Sequence, residues 1–239
     1  MIPAITPTRF GRLFPAAVAL AALVLALAFV PAAPARADEG WVINSFDAAY
    51  TINEDGTVTA TEDIRVDFGS LEKHGIFREI PVEYKYDDQN NRLIRLTNIS
   101  VDDGSKPWPF EEQDNGINKR LKIGDPDALI SGPQRYRIQY TINRGLNPFA
   151  DHDEFYWNVT GNEWPVTIGG ASAKVTVAKP AVQQIACYSG PEGSTDACAS
   201  SDSTEDGATF SSTRLPEASG LTIVVGLKKS AIAVGAPEL

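Results

Sequence analysis

The chain has 239 residues, of which 21 are lysine or arginine and 31 are aspartate or glutamate, for a formal net charge of −10. The first 37 residues hold three arginines and no acidic residue, so the rest of the chain carries 18 basic residues against all 31 acidic ones. Such a negative domain repels nucleic-acid phosphates and anionic lipid headgroups. The composition therefore argues against nucleic-acid binding, and we expect no nucleic-acid partner.

The N-terminus has the layout of a secretory signal peptide. Arg9 and Arg12 precede the apolar run "LFPAAVALAALVLALAFV", and the small-residue site "ARA" ends at Ala37. An uncleaved membrane anchor is the alternative, since this run is about as long as the shortest membrane-spanning helices, roughly 17 residues. Prolines at both ends of the run and the site that follows it favour cleavage. We predict a signal-peptide helix within residues 1–37 and an exported domain of residues 38–239.

Strand-like alternation begins directly after the leader. The segment "VINSFDAAYTIN" places five residues on one face: Val42, Phe46, Ala48, Tyr50 and Ile52. The segment "TVTATEDIRVDF" repeats the alternation with a second apolar set: Val58, Ala60, Ile64, Val66 and Phe68. Two such runs joined by a short Asp-Gly turn predict a β-hairpin.

Further short strands follow along the chain. The run "LIRLTNISV" changes phase in its middle, which predicts a bulge near Thr97-Asn98. The run "RYRIQYTI" alternates cleanly, with inward side chains at Tyr136, Ile138, Tyr140 and Ile142. Similar segments continue to "LTIVVGL", and no helical pattern of convincing length follows the leader. The sequence predicts an all-β, antiparallel β-sandwich, Ig-like in the broad sense, built as one domain.

The two cysteines, Cys187 and Cys198, both lie in the predicted exported part. In an oxidising compartment a pair this close in sequence predicts a disulfide, which here would staple a polar loop. Closing so short a loop restricts the unfolded chain by roughly 3 kcal/mol. A zinc site is the alternative, but no histidine or further cysteine lies nearby in the sequence to complete four ligands.

The hairpin pattern places one carboxylate on an apolar face. Glu62 falls on the same predicted face as Ala60 and Ile64. A carboxylate that points into an apolar layer needs a cation or several hydrogen-bond donors. Arg78, within "HGIFREIP", is the natural partner. We predict a structural Glu62–Arg78 ion pair, with a catalytic acid/base pair as the alternative.

The segment "DEFYWNVTGNEWP" concentrates aromatic and acidic residues. Because Phe155, Trp157 and Val159 alternate, we expect Trp157 in the core, and Trp164 before Pro165 predicts a plug at a strand-to-loop corner. An exposed aromatic beside carboxylates is instead typical of a sugar-binding surface. The candidates for such a ligand-binding site are Tyr156, Trp164, Glu154 and Glu163.

Motifs for catalysis and metal binding are weak. The chain has two histidines and neither a Gly-x-Ser-x-Gly nor a His-Glu-x-x-His motif. The acidic turns "GDPD" and "DHDE" lack the spacing of a calcium-binding loop. We therefore expect no catalytic residue, no metal site, no cofactor and no enzyme activity.

Five motifs occur together in a fixed order: "NEDGTVTATEDIRVDF", "HGIFREIP", "LKIGDPD", "YRIQYTI" and "DEFYWNVTGNEWPV". In this order they resemble the bacterial predicted membrane proteins that carry domain of unknown function 2207. The resemblance runs from about Trp41 to Leu227. It implies a signal peptide, an extracytoplasmic β domain, transmembrane helices and a cytoplasmic Gly-rich tail, and it supplies no established catalytic residues. No apolar spanning segment follows Leu227 in this sequence, so we expect either a fragment of a longer protein, which associates with the membrane through the family's C-terminal segment, or a domain that is released after export.

Three functions are consistent with this sequence. We expect an exported, non-catalytic interaction domain of the cell envelope, whose unknown partner is an envelope protein or a glycan. A carbohydrate or cell-wall binding module that uses Tyr156 or Trp164 is the second. A glycan-active hydrolase that uses Glu154 and Glu163 is the third, since glycosidases need two facing carboxylates.

Overall fold

The computed structural model describes residues 39–239, and the predicted signal peptide lies outside them. The described residues form sixteen β-strands and no helix. In chain order the strands are β1 (Val42–Ile52), β2 (Val58–Asp67), β3 (Gly75–Pro81), β4 (Glu83–Lys85), β5 (Asn91–Leu93), β6 (Arg95–Asp102), β7 (Phe110–Asn115), β8 (Asn118–Gly124), β9 (Pro133–Asn143), β10 (Leu146–Pro148), β11 (His152–Asn158), β12 (Ala171–Val177), β13 (Val182–Pro191), β14 (Ser200–Thr204), β15 (Gly207–Ser212) and β16 (Ser219–Lys228). The prediction of an all-β fold is confirmed.

Seven strands form the largest sheet, in the order β14–β15–β12–β1–β2–β9–β6. Strands β1 and β12 run parallel, and the other neighbours in this sheet are antiparallel. The parallel pair adds one feature that local sequence patterns do not show. It arises because β12, from late in the chain, joins the open edge of the β1–β2 hairpin.

The predicted hairpin of β1 and β2 is confirmed. The two strands are antiparallel, with Ile52 opposite Val58 at the turn. Gly56 in this turn has a φ of 82°, and a Cβ atom there would overlap the carbonyl oxygen of Ala233. Glycine therefore meets both the backbone conformation and the close approach of the C-terminal segment.

The start of β1 departs from the predicted alternation. A register shift between Ile43 and Ser45 changes which side chains point inward. Ile43 is consequently buried, whereas Val42, which we predicted to face inward, is half-buried. From Phe46 onward the predicted inward row is correct.

Strand β9 also follows its predicted pattern. Its four inward side chains are at most 2% exposed: Tyr136, Ile138, Tyr140 and Ile142. On the outer face, Arg135 pairs with Asp63 of β2 and Arg137 pairs with Asp102 of β6. The predicted bulge in β6 is confirmed by a register shift between Thr97 and Ser100.

The second layer is a four-stranded sheet in the order β10–β11–β16–β13. Its inner face meets the seven-stranded sheet through aromatic rings. The Tyr50 ring lies edge-on to Phe155 and Trp157, with centroid distances of 5.6 and 6.4 Å. Trp157 is fully buried, as predicted. These contacts confirm a sandwich-like arrangement with aromatic side chains in its core.

Two smaller sheets complete the fold. A three-stranded sheet, β3–β8–β7, contributes Ile76, Ile80, Leu121 and Ile123 to the same core. Strands β4 and β5 form a short hairpin. Within residues 39–239 we find no helix with the length and apolarity needed to cross a membrane.

Cys187 of β13 and Cys198 form a disulfide, with their Cα atoms 5.5 Å apart. The backbone N–H of Cys198 also donates to the Cys187 carbonyl oxygen. The bond joins two residues that are 11 positions apart in the sequence. One of them lies in β13, the edge strand of the four-stranded sheet.

Reduction of this disulfide should destabilise the protein by about 3 kcal/mol, because the unfolded chain is then no longer held in a covalent loop and gains conformational entropy. Urea unfolding with and without dithiothreitol measures the change. The variant Cys187→Ala/Cys198→Ala is the control and should not respond to reductant. An unchanged midpoint on reduction of the wild type would contradict this prediction.

Burial raises the pKa of Tyr50, Tyr136 and Tyr140 above the usual value of a phenol. Their contribution to stability is therefore complete below the unfolded-state pKa of about 10 and is lost as the pH rises above it. Alkaline ultraviolet titration should show four phenols that ionise only on unfolding, these three and Tyr84, whose pKa burial also raises. Simultaneous ionisation of all tyrosines near pH 10, with the circular dichroism of the native state intact, would disprove it.

Candidate functional site

Glu62 and Arg78 form a bidentate ion pair inside the core. The Arg78 Nε donates to Glu62 Oε2 and the Nη2 donates to Glu62 Oε1, each at 2.8 Å. Both side chains are fully buried. The Tyr140 hydroxyl donates a further hydrogen bond of 2.6 Å to Glu62 Oε1. The carboxylate therefore has donors from both the three-stranded and the seven-stranded sheet.

The remaining donors of the Arg78 guanidinium bind backbone carbonyl oxygens. Nη1 donates to the carbonyl oxygens of Glu79 and Thr160, at 2.5 and 2.8 Å. Nη2 donates to the carbonyl oxygen of Val159 at 2.8 Å. Together with the two bonds to Glu62, these contacts give every guanidinium N–H group an acceptor.

The surroundings keep Arg78 charged. Burial alone would lower the pKa of its guanidinium, but the Glu62 carboxylate outweighs burial, and the pKa lies above its usual value. The ring of Phe46 lies 5.1 Å from the guanidinium carbon, in a cation–π contact. Because all donors are occupied and both side chains are fully buried, the pair suits the structural role that we predicted.

The loop after β11 connects the ion pair to the surface. Gly161 in this loop has a φ of 75°, and a Cβ atom there would lie 3.0 Å from Arg78 Nη1. Asn158 Oδ1 accepts from the Gly161 N–H at 3.0 Å, and Asn158 Nδ2 donates to Asn162 Oδ1 at 2.7 Å. Asn162 Nδ2 donates to the Gly190 carbonyl oxygen at 3.1 Å. The loop is therefore fixed both to the core and to β13.

A groove of about 580 Å³ lies on the outer face of the four-stranded sheet. We call it the tyrosine groove, since Tyr84, Tyr156 and Tyr188 line it together with Asn158 and Asn162. The rings of Tyr84 and Tyr156 lie 6.1 Å apart at 86°, edge to face. Burial raises the pKa of Tyr84 and of Tyr156, so both phenols are neutral near pH 7.

Carboxylates outnumber cations in the tyrosine groove. The carboxylates are Glu79, Glu83, Glu163 and Glu192, and the single lysine is Lys85. Lys85 pairs with the exposed Asp88 at 3.1 Å. Glu79 Oε1 accepts hydrogen bonds from Arg120 and Asn115, whereas Glu79 Oε2 is buried without a hydrogen-bond partner. The walls of the groove therefore carry net negative charge.

A second cavity, of about 380 Å³, is rich in aromatic side chains. We call it the aromatic cavity, and its rings belong to Trp41, Phe68, Phe77 and Trp164. Its polar rim includes the ion pair of Glu39 with Lys73, which are 3.1 Å apart. The side chains of Glu79 and Glu163 line both this cavity and the tyrosine groove.

The four predicted ligand-binding residues occupy different places. Tyr156 is 38% exposed and Glu163 is exposed, and both line the tyrosine groove. Trp164 is only 4% exposed and donates its indole N–H to the Thr160 carbonyl oxygen at 2.7 Å. Glu154 is half-buried near the buried Arg92. Burial lowers the pKa of Arg92, and the negative charge of Glu154 opposes this effect. The structure thus brings Tyr156 and Glu163 to the tyrosine groove and Glu163 and Trp164 to the aromatic cavity, and Glu154 lines neither.

Sequence reasoning missed Tyr84 and Tyr188 as groove residues. Tyr188 pairs with Thr222 of β16, which in turn pairs with Asn158 of β11, so Tyr188 shares the outer face with Tyr156. The signal for Tyr188 is this pairing across three strands, which one sequence does not show. Tyr84 reaches the groove from a separate hairpin.

Other polar groups make ordinary local contacts. The His74 Nδ1 lies 2.9 Å from the Ala128 carbonyl oxygen, and the His152 Nδ1 lies 2.8 Å from Asp151. Neither histidine lines the tyrosine groove or the aromatic cavity. In the described part of the chain, no three histidine, cysteine or acidic side chains are grouped to hold a metal ion.

Sequence comparison connects the chain with proteins of unknown activity. The pattern described as "Predicted membrane protein (DUF2207) N-terminal domain" matches residues 42–227. The uncharacterized protein YciQ of Escherichia coli (strain K12) is 26% identical over 160 residues, which cover 64% of this chain and 25% of YciQ. The chain thus spans about a quarter of that relative's length.

Structural comparison finds a similar fold in part of a yeast hydrolase. Yeast LTA4 hydrolase in complex with bestatin superposes with a TM-score of 0.50 at 9% identity, over 90% of this chain and 33% of the hydrolase. An M1 zinc metallopeptidase from Deinococcus radiodurans gives a TM-score of 0.42 at 12% identity, over 78% of this chain and 42% of that protein. At such identities the yeast structure shows a likeness of fold alone.

The substitution Glu62→Gln should destabilise the protein by about 3–5 kcal/mol, because it leaves the Arg78 guanidinium buried without its counter-charge. Urea unfolding measures the loss. The control is Asp63→Asn, which removes the next carboxylate along β2 from a partly exposed pair with Arg135. That control should cost less than about 1 kcal/mol. Equal losses for the two variants would refute the assignment of a structural role.

Proposed function

Because the chain belongs to the family of predicted membrane proteins that share the DUF2207 N-terminal domain, we propose that residues 39–239 form a non-catalytic binding module of a membrane-associated protein. In this proposal the domain is exported and faces the cell envelope. Its partner binds in the tyrosine groove. Attachment to the membrane comes from a part of the protein outside residues 39–239.

The tyrosine groove is the observation that carries the proposal. The seven-stranded sheet and the inner face of the four-stranded sheet bury their apolar side chains against each other. Tyr156 nevertheless points outward from β11 and is 38% exposed, beside Tyr84 and Tyr188. Aromatic side chains with a polar tip are enriched where proteins bind partners, since they offer contact area at little entropic cost.

Rigid walls support a binding role for this groove. Asn158 and Asn162 use their side-chain amides to fix the loop and the neighbouring strand. The same loop places the Val159 and Thr160 carbonyl oxygens on the buried Arg78. A preformed groove loses little conformational freedom when a ligand binds, which favours affinity.

The polar contacts of the groove favour binding over catalysis. Among its hydroxyl groups, Ser194 donates to the Ser189 carbonyl oxygen, and no described histidine lines the groove. A serine nucleophile would need a general base within hydrogen-bond reach. The carboxylates Glu79 and Glu163 are the groups that a hydrolase would use, and Glu79 is already engaged by Arg120.

A protein partner fits the groove better than a sugar platform does. Glycan-binding surfaces stack sugars on exposed rings, and coplanar rings suit this purpose. Tyr84 and Tyr156 lie at 86° to each other, so the two rings form a corner instead of a platform. A carbohydrate ligand is the second candidate, favoured by the exposure of Tyr156 next to Glu163 in one groove.

Site-specific cross-linking tests the location of the partner. We expect a photoreactive phenylalanine analogue in place of Tyr156 to form a discrete protein adduct in envelope preparations of the organism that makes the protein. The control is the same analogue in place of Leu129, which is 54% exposed and lies outside the groove. That position should give no adduct of the same mass.

Other results would reject parts of the proposal. Adducts of equal yield at both positions would show that the groove is not the binding surface. Sedimentation with purified cell-wall glycan that depends on Tyr156 would favour the carbohydrate candidate. Release of soluble sugar that is abolished in Glu163→Gln would make the protein a hydrolase.

A further inference from the structure

We propose that the tyrosine groove recognises a cationic side chain, the ammonium group of a lysine in an extended segment of the partner protein. This inference rests on the proposed binding function and names the chemistry of that ligand. Three features support it: unneutralised carboxylates, a corner of phenol rings, and a buried acceptor without a donor.

The charge of the groove is the first feature. Glu79 is paired with Arg120, and Lys85 is paired with Asp88. Among residues 39–239, the other lining carboxylates make no ion pair: Glu83, Glu163 and Glu192. Of these, Glu83 accepts one hydrogen bond, from the amide of Asn91. Carboxylates held near one another without cations favour a ligand that brings positive charge.

The nearby cations do not neutralise these carboxylates. Arg92, opposite Tyr84 in the β4–β5 hairpin, is buried, and its Nη2 donates to the carbonyl oxygens of Arg144 and Gly145. Lys119, which follows the lining residue Asn118, pairs with Asp114 at 2.7 Å. The negative charges of these carboxylates therefore remain available to attract a positively charged ligand.

The phenol rings are the second feature. Tyr84 and Tyr156 meet at 86°, and Tyr188 lines the same groove. In an edge-to-face pair one ring covers part of the face of the other, so only an exposed ring face is open to a small cation, and Tyr156 is 38% exposed. The exposed face of an aromatic ring attracts alkylammonium groups. A ring corner beside carboxylates thus combines a cation–π contact with an ionic one.

Glu79 provides the third feature. Its side chain is 7% exposed and lines the groove, and its buried Oε2 has no hydrogen-bond partner among the residues that the structure describes. A buried carboxylate oxygen without a donor is costly. A cation bound in the groove would offset part of this cost through its charge.

The size and charge of the protein favour a peptide over a lipid headgroup. The groove, of about 580 Å³, has the volume of a site for a drug-sized ligand, several times that of an ethanolamine headgroup. The whole chain has a net charge of −10, which disfavours approach to an anionic membrane surface. Charge complementarity therefore points to a lysine-bearing protein segment.

Calorimetric titration with defined peptides tests the inference. The probe is the peptide acetyl-Gly-Lys-Gly-Lys-Gly-amide, and its Nε-acetylated form is the neutral control. We expect the lysine peptide to bind at low salt and to lose about tenfold in affinity at high salt, since exposed charges are screened. The acetylated peptide should show no binding.

Variants locate the binding in the groove. Tyr156→Ala should weaken binding of the lysine peptide about fivefold, whereas Tyr156→Phe retains the ring and most of the affinity. The matched control is Tyr86→Ala, which removes a tyrosine that is 51% exposed and lies outside the groove. Glu163→Gln should weaken binding about threefold, and Glu111→Gln, the same charge change on β7, should not.

Each contrary outcome has a distinct meaning. Equal affinity for the lysine and acetylated peptides, lost in Tyr156→Ala, would overturn the cationic ligand but keep the groove as a binding site. Absence of binding by the lysine peptide would overturn this inference, while the cross-linking at position 156 still tests the binding function separately. Tyr156-dependent binding to phosphatidylethanolamine vesicles, without peptide binding, would overturn the peptide in favour of a lipid headgroup.

Discussion

The buried ion pair of Glu62 and Arg78 is the interaction on which the arrangement of the sheets depends. Glu62 comes from the seven-stranded sheet, and Arg78 comes from the three-stranded sheet. The carbonyl oxygens of Val159 and Thr160, which follow the β11 strand of the four-stranded sheet, complete the guanidinium contacts. Because a guanidinium has a fixed planar fork, these contacts select one relative placement of three sheets.

The same contacts determine where a groove forms. With Arg78 holding the start of the loop after β11, Asn158 and Asn162 can brace its outer part against β13. The outer face of β11 then stands open between this loop and the hairpin of β4 and β5, and Tyr84 and Tyr156 meet there. A polar cluster in the core thus positions aromatic rings at the surface.

Local sequence patterns were enough to predict much of the fold. Period-two alternation identified the inward rows of β2 and β9, and a polar residue within one row, Glu62, pointed to a buried counter-charge. The pairing of β1 with β12 has no such signal, since residues like Phe46 and Ala171 meet across more than a hundred positions of the chain. The shift at Ile43 escaped for a related reason, because a bulge breaks the alternation that reveals a strand. The sequence predicted only part of the tyrosine groove. Tyr156 and Glu163 were recognised because they lie in one motif, whereas Tyr84 and Tyr188 come from other strands.

The central place of β1 has a consequence for how this polypeptide acquires its structure. The strand lies between β2, its neighbour in sequence, and β12, which is more than a hundred residues further along. The seven-stranded sheet cannot be completed until Ala171–Val177 has been synthesised and has paired with the free edge of β1. Pairings between distant segments form late, since a long loop must close first. A nascent chain in which β12 has not yet been made therefore keeps one edge of β1 unpaired, and the sheet is completed only late in synthesis.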